Sequence, residues 1–129
     1  MTAWTNDELA KIGAAEEVQI APRRRDGKLR NPVTVWIVRH GDGLYIRSAV
    51  RGRSAIWFSA VQETHQGRIS ADGVEKDVTF ADADSNVYDE IDAAYRTKYR
   101  RYVGRILNSC LTPEARSTTI KMMPRSTGP

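Results

Sequence analysis

Three glycine-containing turn signals divide the first part of the chain into short apolar segments. Asp26-Gly27, Gly41-Asp42-Gly43 and Asp72-Gly73 each combine residues that tolerate the positive φ of a tight turn. Turns of this kind join neighbouring antiparallel strands. The pattern therefore predicts a sheet built mainly from hairpins.

Six strands are predicted around these turns. The run from Val33 to Val38 is apolar on both of its faces. Both faces should therefore be covered, one by a barrel interior and the other by a helix or a second subunit. The strands are expected at Val18–Arg24, Pro32–Arg39, Leu44–Ser48, Gly67–Ala71, Val74–Phe80 and Ser117–Met123.

Three helices are predicted outside the sheet. Thr5 and Glu8 have the spacing of a capping box, which starts a helix that ends near Ala15. Trp4 precedes the cap, where it can hold the helix to the rest of the domain. The other two helices are a short one at Ser54–Glu63 and the longest one at Asn86–Leu107.

The longest predicted helix carries a stripe of tyrosines. Tyr95, Tyr99 and Tyr102 recur at the spacing of one helical face, which predicts a core or a dimer interface. Pro113 predicts a break after this helix, and residues 124–129 are expected to form a disordered tail. Residues 1–129 are thus predicted to form one α+β domain, a mostly antiparallel barrel with its helices packed outside.

The charge of the chain favours an anionic partner. A net charge of +4 is lower than that of a dedicated nucleic-acid-binding domain but suits a small anionic ligand. Arg23, Arg24 and Arg25 lie at a predicted hairpin tip, which could contact RNA or the anionic tail of a ligand. The tip has no interleaved aromatic residues to stack on bases, so nucleic acid is not the expected partner.

The single cysteine bears on the location of the protein. Because Cys110 is the only cysteine, no internal disulfide can form, and we expect a cytoplasmic protein with a buried thiol at this position. No apolar run is long enough to span a bilayer, and Met1–Trp4 lacks the pattern of a signal peptide. His40 and His65 have no partners at ligand spacing, so no metal site is expected.

The segment from Leu44 to Phe58 carries the clearest functional signal. An apolar strand runs into the loop Arg51-Gly52-Arg53-Ser54, and a short aromatic helix follows at Ala55. Arginine forks, serine hydroxyls and free backbone N–H groups at a helix N-terminus together can hold a phosphate. The loop therefore favours a phosphorylated small molecule as the ligand, and the alternative is a solvated surface loop.

Three segments of the chain together resemble a known superfamily. Arg24–Trp36 resembles a first hairpin in which a glycine turn precedes a proline and an apolar strand. Leu44–Ser48 with Arg51–Ser54 resembles a strand and loop that hold a cofactor phosphate. Ala55–Phe58, followed by Gly67-Arg68-Ile69, resembles an aromatic helix and the strand after it. These are features of the split β-barrel of flavin-binding oxidoreductases, which include pyridoxamine-phosphate-oxidase-like proteins, flavin reductases and deazaflavin-dependent nitroreductases.

A second resemblance covers the C-terminal part of the chain. The helix Tyr95–Tyr99 and the ending Pro113–Thr119 are similar to those of small bacterial proteins in a domain-of-unknown-function family. That family name implies no activity.

The split-barrel resemblance implies a set of site residues. An FMN or deazaflavin cofactor would be bound, a small molecule reduced, and a homodimer formed with the cofactor cleft between subunits. The cofactor phosphate would be held by Arg47, Ser48, Arg51, Arg53 and Ser54. The cofactor ring would lie near Val35, Trp36 and Ile37, and Trp57 is a further cofactor contact.

One departure from the deazaflavin enzymes keeps other functions open. Their helix has a proline before its tryptophan and an Asn-Leu pair after it, whereas here Ile56 precedes Trp57 and Ser59-Ala60 follow Phe58. The second hypothesis is therefore a non-catalytic split-barrel module that binds another anionic ligand or a protein. The third is a basic nucleic-acid-binding domain.

Overall fold

The computed structural model describes residues 3–125. The strands are β1 (Val18–Pro22), β2 (Val33–Val35), β3 (Val38–His40), β4 (Gly43–Ile46), β5 (Gln66–Ala71), β6 (Val74–Asp82) and β7 (Ile120–Pro124). The α-helices are α1 (Asn6–Ala14), α2 (Ile56–Thr64), α3 (Tyr88–Lys98), α4 (Arg105–Asn108) and α5 (Pro113–Ser117). Residues 126–129 of the predicted tail lie outside the described part, and Pro124 belongs to β7 instead.

The strands form one antiparallel sheet in the order β2-β1-β5-β6-β7-β4-β3. The predicted turn between β5 and β6 is present, with φ values of 49° at Asp72 and 80° at Gly73, as a tight hairpin requires. The sheet curls into a half-barrel with helices outside, which confirms the α+β split barrel predicted from the sequence. It has seven strands where six were predicted.

The additional strand arises because the second predicted strand is interrupted at Trp36-Ile37. Its two halves, β2 and β3, lie at opposite edges of the sheet. At the interruption the Ile37 N–H donates to the Tyr99 hydroxyl at 3.1 Å, and Lys98 Nζ donates to the Ile37 carbonyl at 2.6 Å. Side chains at the end of α3 therefore satisfy backbone groups that a neighbouring strand would otherwise pair.

The prediction of one long helix over Asn86–Leu107 was wrong. Tyr99 ends α3, a 3-10 turn follows at Arg100–Tyr102, and Gly104 with φ of 108° precedes α4. Pro113 starts the short helix α5, capped by the Thr112 side chain, because proline is tolerated at the first helical position. These bends turn the segment after α3 back toward the sheet.

Two hydrophobic clusters form the core. One fills the barrel, where it includes Ile20, Ile37 and Phe80, and the other lies under α3 around Tyr95 and Tyr99. Two members of the tyrosine stripe, Tyr95 and Tyr99, are buried and thus belong to the core.

Both interactions expected at the N-terminus are present: the capping box of Thr5 with Glu8, and the contact of Trp4, whose indole N–H donates to the Met122 carbonyl at 3.0 Å. None of the helices between residues 3 and 125 combines the length and the hydropathy that a bilayer crossing needs.

We expect Tyr99→Phe to lower the free energy of unfolding by ~1–3 kcal/mol, because it leaves the buried Ile37 N–H without an acceptor. The matched control is Tyr102→Phe, one turn further on, whose hydroxyl donates to the exposed Glu16 carboxylate. That control should change the free energy of unfolding by less than ~0.5 kcal/mol. Urea denaturation measures both values, and equal effects would show that the hydroxyl of Tyr99 does not hold the interruption.

Candidate functional site

A cleft of about 770 Å³ opens between three walls of the domain. The first wall is the β2 segment from Val33 to Trp36. The second is the loop Ser48–Arg51 together with the start of α2 at Ala55, Ile56 and Trp57. The third consists of Tyr95, Ile106, Ser109 and Cys110. The volume lies within the range of small-molecule and cofactor sites, ~300–1,000 Å³.

The structure brings six of the nine predicted site residues to this cleft. These six are Val35, Trp36, Arg47, Ser48, Arg51 and Trp57. The other three, Ile37, Arg53 and Ser54, are not among its lining residues. The roles of all nine as cofactor contacts stay predictions, and the local geometry shows what the side chains of these three do in this structure.

The three residues outside the cleft each make internal contacts. Ile37 is fully buried in the barrel core. Arg53 donates to the Ser117 carbonyl at 3.3 Å, and its guanidinium lies 5.7 Å from the centre of the Phe58 ring. The Ser54 hydroxyl donates to the Arg51 carbonyl at 2.7 Å. The polar groups of Arg53 and Ser54 thus donate to backbone carbonyls of the protein itself.

Arg47 is buried and its guanidinium is used internally. Its Nη1 donates to Asp92 at 2.5 Å and to the Cys110 carbonyl at 2.9 Å. Its Nε donates to the Thr119 hydroxyl at 2.8 Å, and its Nη2 donates to the Tyr88 carbonyl at 3.1 Å. Within residues 3–125, four of the five guanidinium N–H groups therefore have protein partners and the fifth has none.

Arg51 differs from Arg47 in exposure and pairing. Its side chain is exposed at the rim of the cleft. Among residues 3–125, no acidic side chain forms an ion pair with it. Arg51 is therefore the cation that the loop offers to an anionic ligand in this cleft.

The N-terminus of α2 lies on the same wall. Ala55 is the N-cap residue, and as an alanine it provides no side-chain acceptor for the first N–H groups of the helix. No acidic residue lies in the first turn. Since Ala55, Ile56 and Trp57 line the cleft, the positive end of the helix dipole and its unpaired N–H groups lie at the cleft wall. This is the helix N-terminus that the sequence predicts to hold a phosphate, and that role stays a prediction.

The third wall was not predicted from the sequence. Burial raises the pKa of the Tyr95 phenol well above its ordinary value and raises the pKa of the Cys110 thiol to about 11. Cys110 is a free, buried cysteine, as predicted. Ile106, Ser109 and Cys110 reach the cleft because the chain bends at Gly104, and no local sequence pattern indicated which way that bend would turn.

The arginine-rich hairpin tip is partly neutralised. Arg23, Arg24 and Arg25 form ion pairs with Asp77, Asp26 and Glu63, at 3.5, 3.6 and 3.3 Å respectively. The turn itself has the predicted glycine, with Gly27 at φ of 89°. Paired arginines offer less free charge to a nucleic-acid backbone than the sequence suggests.

Comparison with protein families gives one match that spans most of the chain. The model described as "Uncharacterized protein conserved in bacteria (DUF2255)" covers residues 8–122. Among curated proteins, none matches the sequence.

Solved structures share the fold at low sequence identity. The heme storage protein HutZ from Vibrio cholerae is 13% identical, with a TM-score of 0.60 over 95% of this chain and 91% of that chain. A FAD-binding protein from Mesorhizobium loti is 11% identical, with a TM-score of 0.54 over 97% and 92% of the two chains. An F420 reductase is 16% identical, with a TM-score of 0.53 over 93% of each chain. At these identities the likeness establishes the split-barrel fold.

Replacing Arg47 with methionine should lower the free energy of unfolding by ~3 kcal/mol, because the buried Asp92 loses its closest cation. Arg116 lies 3.3 Å from the other carboxylate oxygen of Asp92 and compensates part of the loss. The control Arg53→Met removes an exposed guanidinium from the same loop and should cost less than ~0.5 kcal/mol. Guanidinium chloride denaturation distinguishes them, and a near-neutral Arg47→Met would show that the guanidinium is not structural.

Proposed function

We propose that this chain, which belongs to the uncharacterised bacterial family DUF2255, binds a flavin-type cofactor in the cleft between β2 and α2. The observation that carries the proposal is the pairing of an apolar strand edge with an uncapped helix N-terminus across one cleft. An aromatic ring system fits the apolar strand edge, and a phosphate fits the helix N-terminus. FMN and a deazaflavin both combine these two groups.

The phosphate end of the site is the start of α2 with Arg51. The first N–H groups of α2 have no side-chain cap, and no acidic residue in the first turn neutralises the positive dipole end of this helix. Arg51 adds an exposed guanidinium that can bind phosphate oxygens through two N–H groups. Ser48 lines the cleft beside them and is held in place by its N–H, which donates to the Thr118 hydroxyl at 2.9 Å.

The ring end of the site is β2. Among the strands of residues 3–125, β2 pairs only with β1, so its outer edge carries backbone N–H and C=O groups with no neighbouring strand there. Those groups can bind the polar edge of a heterocycle, and Val35 provides an apolar wall. Trp36 stacks on Tyr99 with 3.9 Å between ring centres. This contact fixes the orientation of the Trp36 ring, so ligand binding would cost little side-chain entropy at this residue.

A bound flavin would supply the hydride-transfer chemistry for the reduction of a small molecule. The residues of this chain would bind the phosphate, orient the ring and keep water from it. The FAD-binding protein and the F420 reductase with the same fold support a flavin-type ligand for this cleft.

We also propose a homodimer whose interface lies over the cleft. Val50, Ile56 and Ile106 are large apolar side chains on the cleft wall, with 87%, 81% and 58% of their surface exposed. Large exposed apolar side chains gathered around one cleft are typical of an interaction site. A second copy of the chain would cover these residues and close the cleft over its ligand.

The alternative is a non-catalytic module for another anionic ligand. Arg47 has only one N–H that lacks a protein partner, and Ile56 replaces the proline of the deazaflavin enzymes. Both features favour a phosphate site with a different geometry from that of those enzymes.

Thermal melting with FMN, FAD, a deazaflavin and hemin tests the cofactor proposal. A ligand at ~100 times its dissociation constant should add ~2.7 kcal/mol, which raises the melting temperature by several degrees. Arg51→Ala should weaken FMN binding by ~10-fold or more through the loss of a charge-assisted hydrogen bond. Arg53→Ala is the matched control and should leave the shift unchanged.

The outcomes of this experiment separate the alternatives. No shift with any flavin would overturn the proposal. A shift with hemin alone would favour the non-catalytic module. An Arg51→Ala protein that binds FMN as tightly as the wild type would place the phosphate elsewhere, and equal losses in Arg51→Ala and Arg53→Ala would include Arg53 in the phosphate site.

For the homodimer, the double variant Val50→Glu/Ile56→Glu should be a monomer, because an interface cannot bury two unpaired carboxylates without a large cost. Light scattering coupled to size exclusion measures the mass, which should be twice that of the chain for the wild type. The control Met123→Glu places a carboxylate on an exposed apolar position of β7 and should stay dimeric. A monomeric wild type at micromolar concentration would exclude this dimer.

A further inference from the structure

The hydroxyl of Tyr95 has no hydrogen-bond partner within residues 3–125, although the side chain is completely buried. The other buried side-chain atoms without a partner are Nε atoms of Arg23, Arg30 and Arg116, whose terminal nitrogens still form ion pairs or lie near a carboxylate. Tyr95 has only one polar side-chain atom, and its O–H has no acceptor in this part of the chain. Buried phenol hydroxyls ordinarily find one.

The hydroxyls of the two neighbouring tyrosines, unlike that of Tyr95, both donate to an acceptor. Tyr99 donates to the Glu16 carbonyl at 2.6 Å and accepts from the Ile37 N–H at 3.1 Å. Tyr102 donates to the Glu16 carboxylate at 2.9 Å. Of these three tyrosines, the one without a partner is the one that lines the cleft.

The surroundings of Tyr95 indicate which kind of ligand atom it would meet. The Arg47 guanidinium lies 5.4 Å from the centre of the Tyr95 ring, but its charge is neutralised by Asp92. Cys110, on the same wall, is a neutral thiol at physiological pH, because burial raises its pKa to about 11. This wall therefore offers uncharged donors, whereas the start of α2 and Arg51 offer positive charge.

We infer that the Tyr95 hydroxyl donates a hydrogen bond to an uncharged, carbonyl-type oxygen on the heterocycle of the ligand in the cleft. The inference rests on the proposed cofactor site and assigns its neutral end. An anionic phosphate would bind instead at the α2 end, where N–H groups and Arg51 lie. Because the hydroxyl has no protein partner, a ligand oxygen would satisfy it without breaking an existing hydrogen bond.

The test compares Tyr95→Phe and Arg51→Ala with the wild type, using FMN, riboflavin and inorganic phosphate as probes in titration calorimetry. Tyr95→Phe should weaken FMN and riboflavin binding alike, by about tenfold, and leave inorganic phosphate binding unchanged. Arg51→Ala should weaken FMN and phosphate binding but not riboflavin binding. A site with a phosphate end and a neutral end requires this difference: Tyr95→Phe weakens riboflavin binding but not phosphate binding, and Arg51→Ala does the reverse.

The unliganded Tyr95→Phe protein provides a second readout. Since the hydroxyl has no protein partner, the variant should melt at the temperature of the wild type or higher, whereas Tyr99→Phe should melt lower.

Three results would count against the inference. If wild type and Tyr95→Phe bind FMN equally, the inference is wrong and the cofactor proposal stands. If the wild type binds neither FMN nor riboflavin, both are wrong. If unliganded Tyr95→Phe melts as low as Tyr99→Phe, the hydroxyl has a structural role and the inference is wrong.

Discussion

The buried ion pair between Arg47 and Asp92 connects the parts of the protein that form the cleft. Arg47 follows β4, Asp92 lies in α3, and the same guanidinium binds the carbonyl of Cys110 and the hydroxyl of Thr119. A charge buried to this degree is tolerated only when paired and hydrogen-bonded, so the four segments are held in one arrangement. The third wall of the cleft depends on that arrangement, because Cys110 and Tyr95 both adjoin the guanidinium.

The interruption at Trp36-Ile37 has an equally direct effect on the cleft. Had Val33–Val38 continued as one strand, β2 would not be a free edge beside the start of α2. Lys98 and Tyr99 stabilise the interruption by binding the backbone of Ile37, and burial lowers the pKa of the Lys98 ammonium to about 8. The end of α3 thus replaces strand pairing at the point where the sheet divides.

Features set by local chemistry were predictable from the sequence, and features set by distant partners were not. The Asp72-Gly73 turn and the capping box of Thr5 depend on residues within a few positions, and both are present. The division of the second strand depends on Tyr99, which lies 62 positions away in the chain. In the same way, the sequence places Arg47 beside the loop predicted to hold a phosphate, but only the fold shows that Asp92 and Thr119 take up its N–H groups.

The distribution of charge and ligating groups in the cleft is the reason that we propose a flavin and not a heme. Heme iron in proteins is held by an axial histidine, thiolate, methionine or tyrosine. His40 and His65, the two histidines of the chain, are not among the residues that line the cleft. Burial raises the pKa of the Cys110 thiol and of the Tyr95 phenol, which keeps both of these cleft residues protonated. A flavin needs no axial ligand; it needs an anion site at one end and neutral hydrogen-bonding groups at the other. The start of α2 with Arg51 offers the first, and the edge of β2 with the hydroxyl of Tyr95 offers the second.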